Sequence, residues 1–182
     1  DIACDKIIID DVAAAHSATD FLMRKGRKNL GLVTTVDYVS VGRLRTQGFK
    51  QALTERGYEC EDHQILKIEN ADACETKIET FLAKNNFDGI LAVNELFAVT
   101  ASKALQKQGK AIPQDVAIVA FTDGMLSKYA SPTLTTIGQK GEEMGGIAAA
   151  KLIERLEKKE GDSESYETVI VKTSLIERES TP

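Results

Sequence analysis

Short apolar runs alternate with longer amphipathic segments along most of this chain. Five runs predict β-strands, and they lie at residues 6–9, 30–34, 65–68, 89–93 and 116–121. The last two are apolar throughout, which is typical of strands covered on both faces, as in parallel sheets.

The segments between these runs carry apolar residues at helical spacing. Helices are predicted to begin at Asp11, near Val41, after Asp72 and at Glu95, and glycines at 26, 57 and 109 end three of them. Asp72 and Glu75 resemble a capping box at the start of the third helix. The alternation of strand and helix predicts an α/β fold with an open, parallel, doubly wound sheet.

The last third of the chain predicts further elements. Residues 133–137 predict an extended segment, and an Ala- and Leu-rich stretch at 141–159 predicts a long helix. A polar, acidic turn at 161–165 then leads to two segments, at 166–172 and 175–178, which predict a closing pair of strands.

Charge and composition narrow the class of protein. The 182 residues include 28 acidic and 23 basic side chains, for a formal net charge of −5. Nucleic-acid backbones are held by clustered lysine and arginine, so this chain is not expected to bind nucleic acid by itself. It has no apolar stretch near the ~20 residues of a transmembrane helix, so no membrane partner is expected.

The cysteines Cys4, Cys60 and Cys74 are odd in number and far apart. They form no CxxC or Cys/His cluster, so neither a metal site nor a cofactor is predicted. This usage favours reduced thiols in a cytoplasmic protein over a disulfide. Helical spacing with Ile78 places Cys74 in the predicted core.

Polar side chains follow three of the predicted strands. Tyr38 comes soon after the second strand, Asn94 follows the fourth, and Thr122 and Asp123 follow the fifth. In open α/β sheets, ligands bind beyond the carboxyl ends of the strands. These groups predict a site for a polyol, sugar or nucleoside-like ligand, although Asn94 and Asp123 could serve only as a helix cap and a turn former.

Arg45 lies in the first turns of the second predicted helix, where a cation opposes the helix dipole by ~0.3–1 kcal/mol. A carboxylate such as Asp37 or Asp123, or a ligand oxygen, is expected to compensate it. The guanidinium fork suits paired hydroxyls or a carboxylate. The alternative is an ordinary surface arginine.

Signatures of catalysis are missing from the sequence. It has no GxSxG, GxxxxGK[ST], HExxH or strand-linked GxGxxG motif, and its two histidines lie away from the strand ends. An enzyme is therefore not predicted.

Several segments resemble the effector-binding region of LacI/GalR-family transcriptional regulators. They are "GRLRTQGFKQAL" at 42–53, "IPQDVAIVAF" at 112–121, "SPTLTTIGQKGEEMGG" at 131–146 and "SLIERES" at 174–180. The resemblance covers essentially the whole chain. It implies a periplasmic-binding-protein-like (type I) fold, in which two α/β lobes joined by three crossings hold a small molecule between them.

The resemblance also implies that this chain is truncated at its N-terminus. It would hold a complete C-terminal lobe at about 27–132 and 162–182, remnants of the N-terminal lobe at 1–12 and 138–161, and crossings at 13–26 and 133–137. DNA would be a partner only through an N-terminal helix-turn-helix that is absent here, and the regulator would be a homodimer.

Site residues follow from the resemblance position by position. Arg45 falls on the family's ligand-contacting arginine, and Asn94 on a common ligand-contacting Asn or Asp. Thr122 and Asp123 fall on the two acidic positions of the usual F-D-D strand end, so Thr122 replaces a carboxylate with a hydroxyl. Tyr38 is a candidate for stacking on a ligand.

The dimer contact implied by the resemblance includes Leu96 and the apolar residues Met125, Leu126 and Tyr129, which are predicted to lie in a loop. The alternative is that the three loop residues cover the lobe's own core. The sequence thus predicts the effector-binding and dimerisation domain of a repressor that binds a sugar-like or nucleobase-like effector. The alternatives are a periplasmic solute-binding protein of the same fold and a doubly wound enzyme.

Overall fold

A computed structural model describes residues 3–157 and 165–182 of the chain. The chain divides into two compact units. The larger contains Asp11–Gly138 and Ser174–Pro182, and the smaller contains Asp1–Asp10 and Gln139–Thr173.

The described elements alternate in the order that the sequence predicts. The strands are β1 (Lys6–Ile8), β2 (Leu30–Thr35), β3 (Ile65–Ile68), β4 (Gly89–Ala92), β5 (Ala117–Phe121), β6 (Thr135–Gly138), β7 (Thr168–Ile170) and β8 (Ser174–Ile176). The α-helices are α1 (Asp11–Arg24), α2 (Ser40–Glu55), α3 (Cys74–Lys84), α4 (Glu95–Lys107), α5 (Met125–Tyr129) and α6 (Gly141–Glu157). No helix within the described ranges has the length and apolarity needed to cross a bilayer.

A six-stranded sheet forms the centre of the larger unit, in the order β3-β2-β4-β5-β6-β8. Every pairing is parallel except that of β6 with β8. Strands β4 and β5 are buried along their whole length, as continuous apolar runs require in a parallel sheet. The predicted fold class, an α/β fold with an open and mostly parallel sheet, is confirmed.

Helices α1 and α2 pack closely against each other in the larger unit. The close approach of these two helices depends on Gly48, because a Cβ atom there would lie 2.2 Å from the carbonyl oxygen of Val12. Phe49, the next residue, is fully buried. The absence of a side chain at position 48 therefore allows the two helices to pack this closely.

Two local predictions differ from the structure. Asp72 does not cap α3: a short 3₁₀ turn at Ala71–Ala73 is capped by Asn70, whose side chain accepts a hydrogen bond from Asp72 N at 3.0 Å, and α3 begins at Cys74. The segment after Asp123, predicted to be a loop, contains helix α5. The prediction that Cys74 lies in the core is confirmed.

The predicted closing strand pair is wrong. Strand β7 pairs in parallel with β1 in the smaller unit, whereas β8 pairs antiparallel with β6 in the larger unit. Residues 171–173 between them contain no glycine or asparagine to form a tight hairpin turn. Val171 N instead donates to Ile8 O at 2.8 Å, which continues the ladder with β1.

The unit boundaries also differ from the predicted lobe boundaries. The predicted crossing at 13–26 is largely helix α1, which buries Phe21 and Leu22 in the larger unit. The predicted crossing at 133–137 overlaps β6, a member of the six-stranded sheet. Residues 166–173 belong to the smaller unit. The predicted boundary between 161 and 162 lies outside the described residues.

The smaller unit consists of the β1–β7 pair and α6. Arg155 of α6 forms a bidentate ion pair with Asp5 and lies 4.4 Å from the ring centroid of Tyr166. Hydrogen bonds from Arg155 and from Glu167 N hold the pKa of Asp5 well below its usual range. Leu152 and Leu156 of α6 are exposed.

Candidate functional site

Three adjacent strands deliver the predicted site residues to one edge of the sheet. Strand β4 lies between β2 and β5, and all three run in the same direction. Residues beyond their carboxyl ends therefore meet at that edge. Arg45, Asn94 and Thr122 lie around this edge, and the structure brings them together through β4 and β5.

Arg45 projects from α2 toward the ends of β4 and β5. Its Nε donates to Asp11 Oδ1 at 2.7 Å and its Nη1 donates to Val93 O at 2.6 Å. The guanidinium carbon lies 3.7 Å from the ring centroid of Phe121. Arg45 is therefore a buried cation held by three elements, which excludes the alternative of an ordinary surface arginine.

Asp11 is the carboxylate that compensates Arg45, not Asp37 or Asp123 as the sequence suggested. The side chains of Arg45 and Asp11 are only 5% and 12% exposed. Burial lowers the pKa of Arg45, and the nearby Asp11 carboxylate opposes that shift. Arg45 Nη2 makes no hydrogen bond within residues 3–157 and 165–182.

Asn94 caps helix α4, as the more conservative interpretation of the sequence proposed. Its Oδ1 accepts a hydrogen bond from Phe97 N at 2.8 Å. Because the cap uses only the oxygen, the amide nitrogen Nδ2 still has two hydrogens to donate. Asn94 can therefore cap the helix and donate to a ligand at the same time.

Thr122 has an unusual backbone conformation at the end of β5. Its φ angle is 74°, in the left-handed region that β-branched residues rarely adopt. Its N–H donates to Ile137 O at 3.0 Å, and its side chain is exposed. Backbone strain of this kind costs about 1–3 kcal/mol and is concentrated at binding sites.

Asp123 is held by groups within the protein. Its Oδ1 accepts from Arg178 Nη2 at 2.5 Å and from Thr136 Oγ1 at 3.0 Å, and Lys128 Nζ lies 3.5 Å from Oδ2. Burial raises the pKa of Asp123, but the hydrogen bonds from Arg178 and Thr136 outweigh it and lower the pKa overall. The structure thus places Asp123 in an internal network.

Sequence reasoning missed Arg178 and assigned no role to Glu95. Arg178 lies 55 residues from its partner Asp123, so only the "SLIERES" motif as a whole could have drawn attention to it. Glu95 Oε1 accepts from Gly124 N at 2.6 Å and from Ser127 N at 3.1 Å. Glu95 therefore connects the end of β4 to the start of α5, and its signal was an acidic residue directly after Asn94.

Tyr38 is not brought together with the other predicted site residues. Its side chain is exposed, and its hydroxyl donates to Glu69 Oε1 at 3.1 Å, beyond the end of β3. This hydrogen bond raises the pKa of Tyr38. Tyr38 therefore lies toward the β3 side of the edge.

The four predicted interface residues form an exposed apolar patch, which we call the α5 surface. Met125 and Tyr129 are 74% and 81% exposed, Leu126 is 50% exposed, and Leu96 of α4 is 43% exposed. This exposure argues against the alternative that the three α5 residues cover the unit's own core. Their role in a dimer stays a prediction.

Comparisons with known proteins agree with the fold described above. Residues 19–181 match the family model described as periplasmic binding protein-like domain. The ribose operon repressor of Haemophilus influenzae is 30% identical over 99% of this chain and 54% of its own length. The HTH-type transcriptional regulator RegA of Clostridium saccharobutylicum is 31% identical over 96% of this chain and 53% of its own length.

A solved structure of a LacI-family transcriptional regulator from Sanguibacter keddieii superposes with a TM-score of 0.89 at 28% identity, covering 97% of this chain and 68% of that one. The fold and the family match thus define an α/β domain of the periplasmic-binding-protein-like class. The chain belongs to the periplasmic binding protein-like domain family, in the form of a LacI-family effector-binding domain.

The chain spans about half the length of the curated relatives that it matches. Both relatives are named as regulators of transcription.

Proposed function

We propose that this chain senses a small effector and dimerises within a cytoplasmic, DNA-binding repressor that has no catalytic activity. The effector is sugar-like or nucleobase-like and binds between two lobes, one of which contributes the Arg45 edge of the sheet. DNA is bound through a helix-turn-helix outside this sequence. The regulatory relatives support this assignment.

One observation carries the proposal: the buried Arg45 guanidinium retains a free donor at the edge where Asn94 and Thr122 also lie. Burying a cation is costly, and structural pairing with Asp11 uses only part of the fork. We assign direct ligand contacts to Arg45, Asn94 and Thr122. Asp123 holds the end of β5 in place through its hydrogen bonds to Arg178 and Thr136. Tyr38 is assigned to the periphery of the ligand site, on the β3 side.

The response is a shift between conformations. An effector that binds one arrangement of the lobes more tightly increases its population by that difference in affinity. DNA affinity then changes, because the spacing of the two helix-turn-helix domains in the proposed dimer depends on the arrangement of the lobes.

A thermal-shift screen of sugars and nucleobases on the full-length protein tests effector binding, because a ligand that binds the native state raises its melting temperature. The matched variant is Asn94→Ser, since serine retains the helix cap but has no amide donors. We expect at least a tenfold loss of affinity for the compound found. No stabilising compound, or equal affinity in the variant, would contradict the proposal.

Dimerisation through the α5 surface is tested separately. Tyr129→Glu places a charge on an exposed apolar residue, and light scattering after gel filtration should show a dimer becoming a monomer. Tyr58→Glu is the matched control, because Tyr58 is also exposed but lies outside this surface. A Tyr129→Glu protein that remains dimeric would refute the assignment.

A further inference from the structure

The α5 surface is built from two separate segments of the chain. Leu96 lies in the first turn of α4, whereas the other three members of the surface, Met125, Leu126 and Tyr129, lie in α5. Association is stronger when the groups at an interface are already ordered, because their ordering otherwise opposes binding. The contact that fixes α5 relative to α4 therefore determines how well this surface can bind a partner.

Helix α5 cannot maintain its own conformation. It has five residues, far fewer than the ~12–15 at which an isolated helix becomes even marginally stable in water. Its N-cap residue is Gly124, which has no side chain to accept hydrogen bonds from the first N–H groups of the helix. Ser127 is the buried residue of α5, and Met125 and Tyr129 are largely exposed. The conformation of α5 therefore depends on groups from the rest of the protein.

Glu95 of α4 supplies the missing cap. Its Oε1 accepts from Gly124 N at 2.6 Å and from Ser127 N at 3.1 Å. These are the N-cap and N3 donors of α5, the same two N–H groups that a capping box satisfies. A carboxylate at this position also interacts favourably with the helix dipole. Because Glu95 directly precedes Leu96, one side chain joins the two segments of the α5 surface.

The sequence at position 124 fits this contact. A Cβ atom on Gly124 would lie 2.4 Å from Glu95 Oε2. The backbone of Gly124 is extended, with φ of −92° and ψ of −166°, so its conformation does not itself demand glycine. The Glu95 carboxylate can approach this closely because residue 124 has no side chain.

We propose that Glu95 is a positioning residue for dimerisation. By capping α5 from α4, it holds the two segments of the α5 surface in the arrangement that a second copy of this chain recognises. Without the cap, dimerisation must also order α5, and the dimer becomes weaker. This inference rests on the proposed function, since it concerns the dimer that the α5 surface forms.

Sedimentation equilibrium of the full-length protein measures the dissociation constant of the dimer. Glu95→Ala should raise this constant at least tenfold, whereas Glu95→Gln should stay within threefold of the parent, because the amide oxygen can still accept both hydrogen bonds. Glu75→Ala is the matched control: Glu75 also connects to α4, through Lys103 and Lys107, but its ion pairs do not involve α5. The control should dimerise like the parent. An alanine variant at 95 that dimerises like the parent, or a glutamine variant as weak as the alanine variant, would overturn the inference.

Gly124→Ala tests the same contact from the other side. The new methyl group occupies the place of the Glu95 carboxylate, so Glu95 must move away and the dimer should weaken at least fivefold. In the Glu95→Ala background the same substitution should have no further effect, because there is no carboxylate left to displace. Independent, multiplicative effects of the two substitutions on the dissociation constant would contradict the proposed cap.

Hydrogen exchange followed by mass spectrometry distinguishes positioning from general unfolding. In Glu95→Ala, peptides that contain Gly124–Ser127 should exchange faster, while peptides from β5 should keep their protection. Unchanged exchange at Gly124–Ser127 would overturn the inference. The Tyr129→Glu protein separates the two proposals: if it remains dimeric, the assigned dimer surface is wrong. If it is monomeric while Glu95→Ala and Gly124→Ala dimerise like the parent, only the role of Glu95 is wrong.

Discussion

Replacing Arg45 with methionine removes a buried cation while retaining an apolar stem against Phe121. Two hydrogen bonds are lost, to Asp11 at 2.7 Å and to Val93 O at 2.6 Å. Bonds to charged groups contribute about 1.5–3 kcal/mol each, and breaking a buried pair costs about 3–5 kcal/mol because one charge is left unpaired. We expect Arg45→Met to lower the free energy of unfolding by about 3–5 kcal/mol.

This loss should lower the melting temperature by roughly 10 °C, given about 2–4 °C per kcal/mol for a chain of this size. Urea unfolding followed by circular dichroism measures the free energy. Asp11→Asn should also destabilise, and the double variant should be less destabilised than the sum of the singles by about 2 kcal/mol, since neither charge is then left unpaired. An Arg45→Met change below about 1 kcal/mol, or additive effects, would refute the assigned pairing.

Three further predictions concern stability. Gly48→Ala should destabilise by about 1–2 kcal/mol in urea unfolding, because the clash with Val12 O exceeds the ~1 kcal/mol gained in helix propensity; equal or greater stability would contradict this. Thr122→Asn should raise the free energy of unfolding by about 1 kcal/mol, and with it the melting temperature, because asparagine tolerates the left-handed backbone conformation. A lower melting temperature would count against backbone strain at this position. Hydrogen bonding to Arg178 lowers the pKa of Asp123 in the folded protein. The ionised Asp123 carboxylate should therefore stabilise the folded protein above its pKa in the unfolded chain, about 3.9, and this stabilisation should be lost as the pH falls below that value. Asp123→Asn should show a smaller loss of stability between pH 5 and pH 2, and an unchanged loss would refute the pairing.

Strands and helices of the larger unit could be predicted because hydrophobic periodicity is a local signal. Continuous apolar runs marked β4 and β5 as central parallel strands, and Gly26, Gly57 and Gly109 marked helix ends with positive φ angles. The partners of the last two strands could not be read in this way. The choice of β1 for β7 and of β6 for β8 depends on tertiary pairing.

The location of the candidate site could be predicted from the sequence, but the hydrogen-bond partners of its residues could not. Strand-end positions identified Asn94 and Thr122, because a parallel sheet brings these ends together. The partner of Arg45 could not be identified, since Asp11 lies 34 residues away on another helix. Spacing likewise gave no reason to pair Asp123 with Arg178.

A crystal structure of the full-length protein with the effector found by screening tests the central claim most directly. We predict electron density for the ligand at the carboxyl edge of the sheet, with its oxygen atoms about 2.7–3.2 Å from Arg45 Nη2 and Asn94 Nδ2. A ligand bound elsewhere, such as in the exposed groove lined by Arg43 and Lys50 on α2, with the Arg45 edge empty, would contradict it.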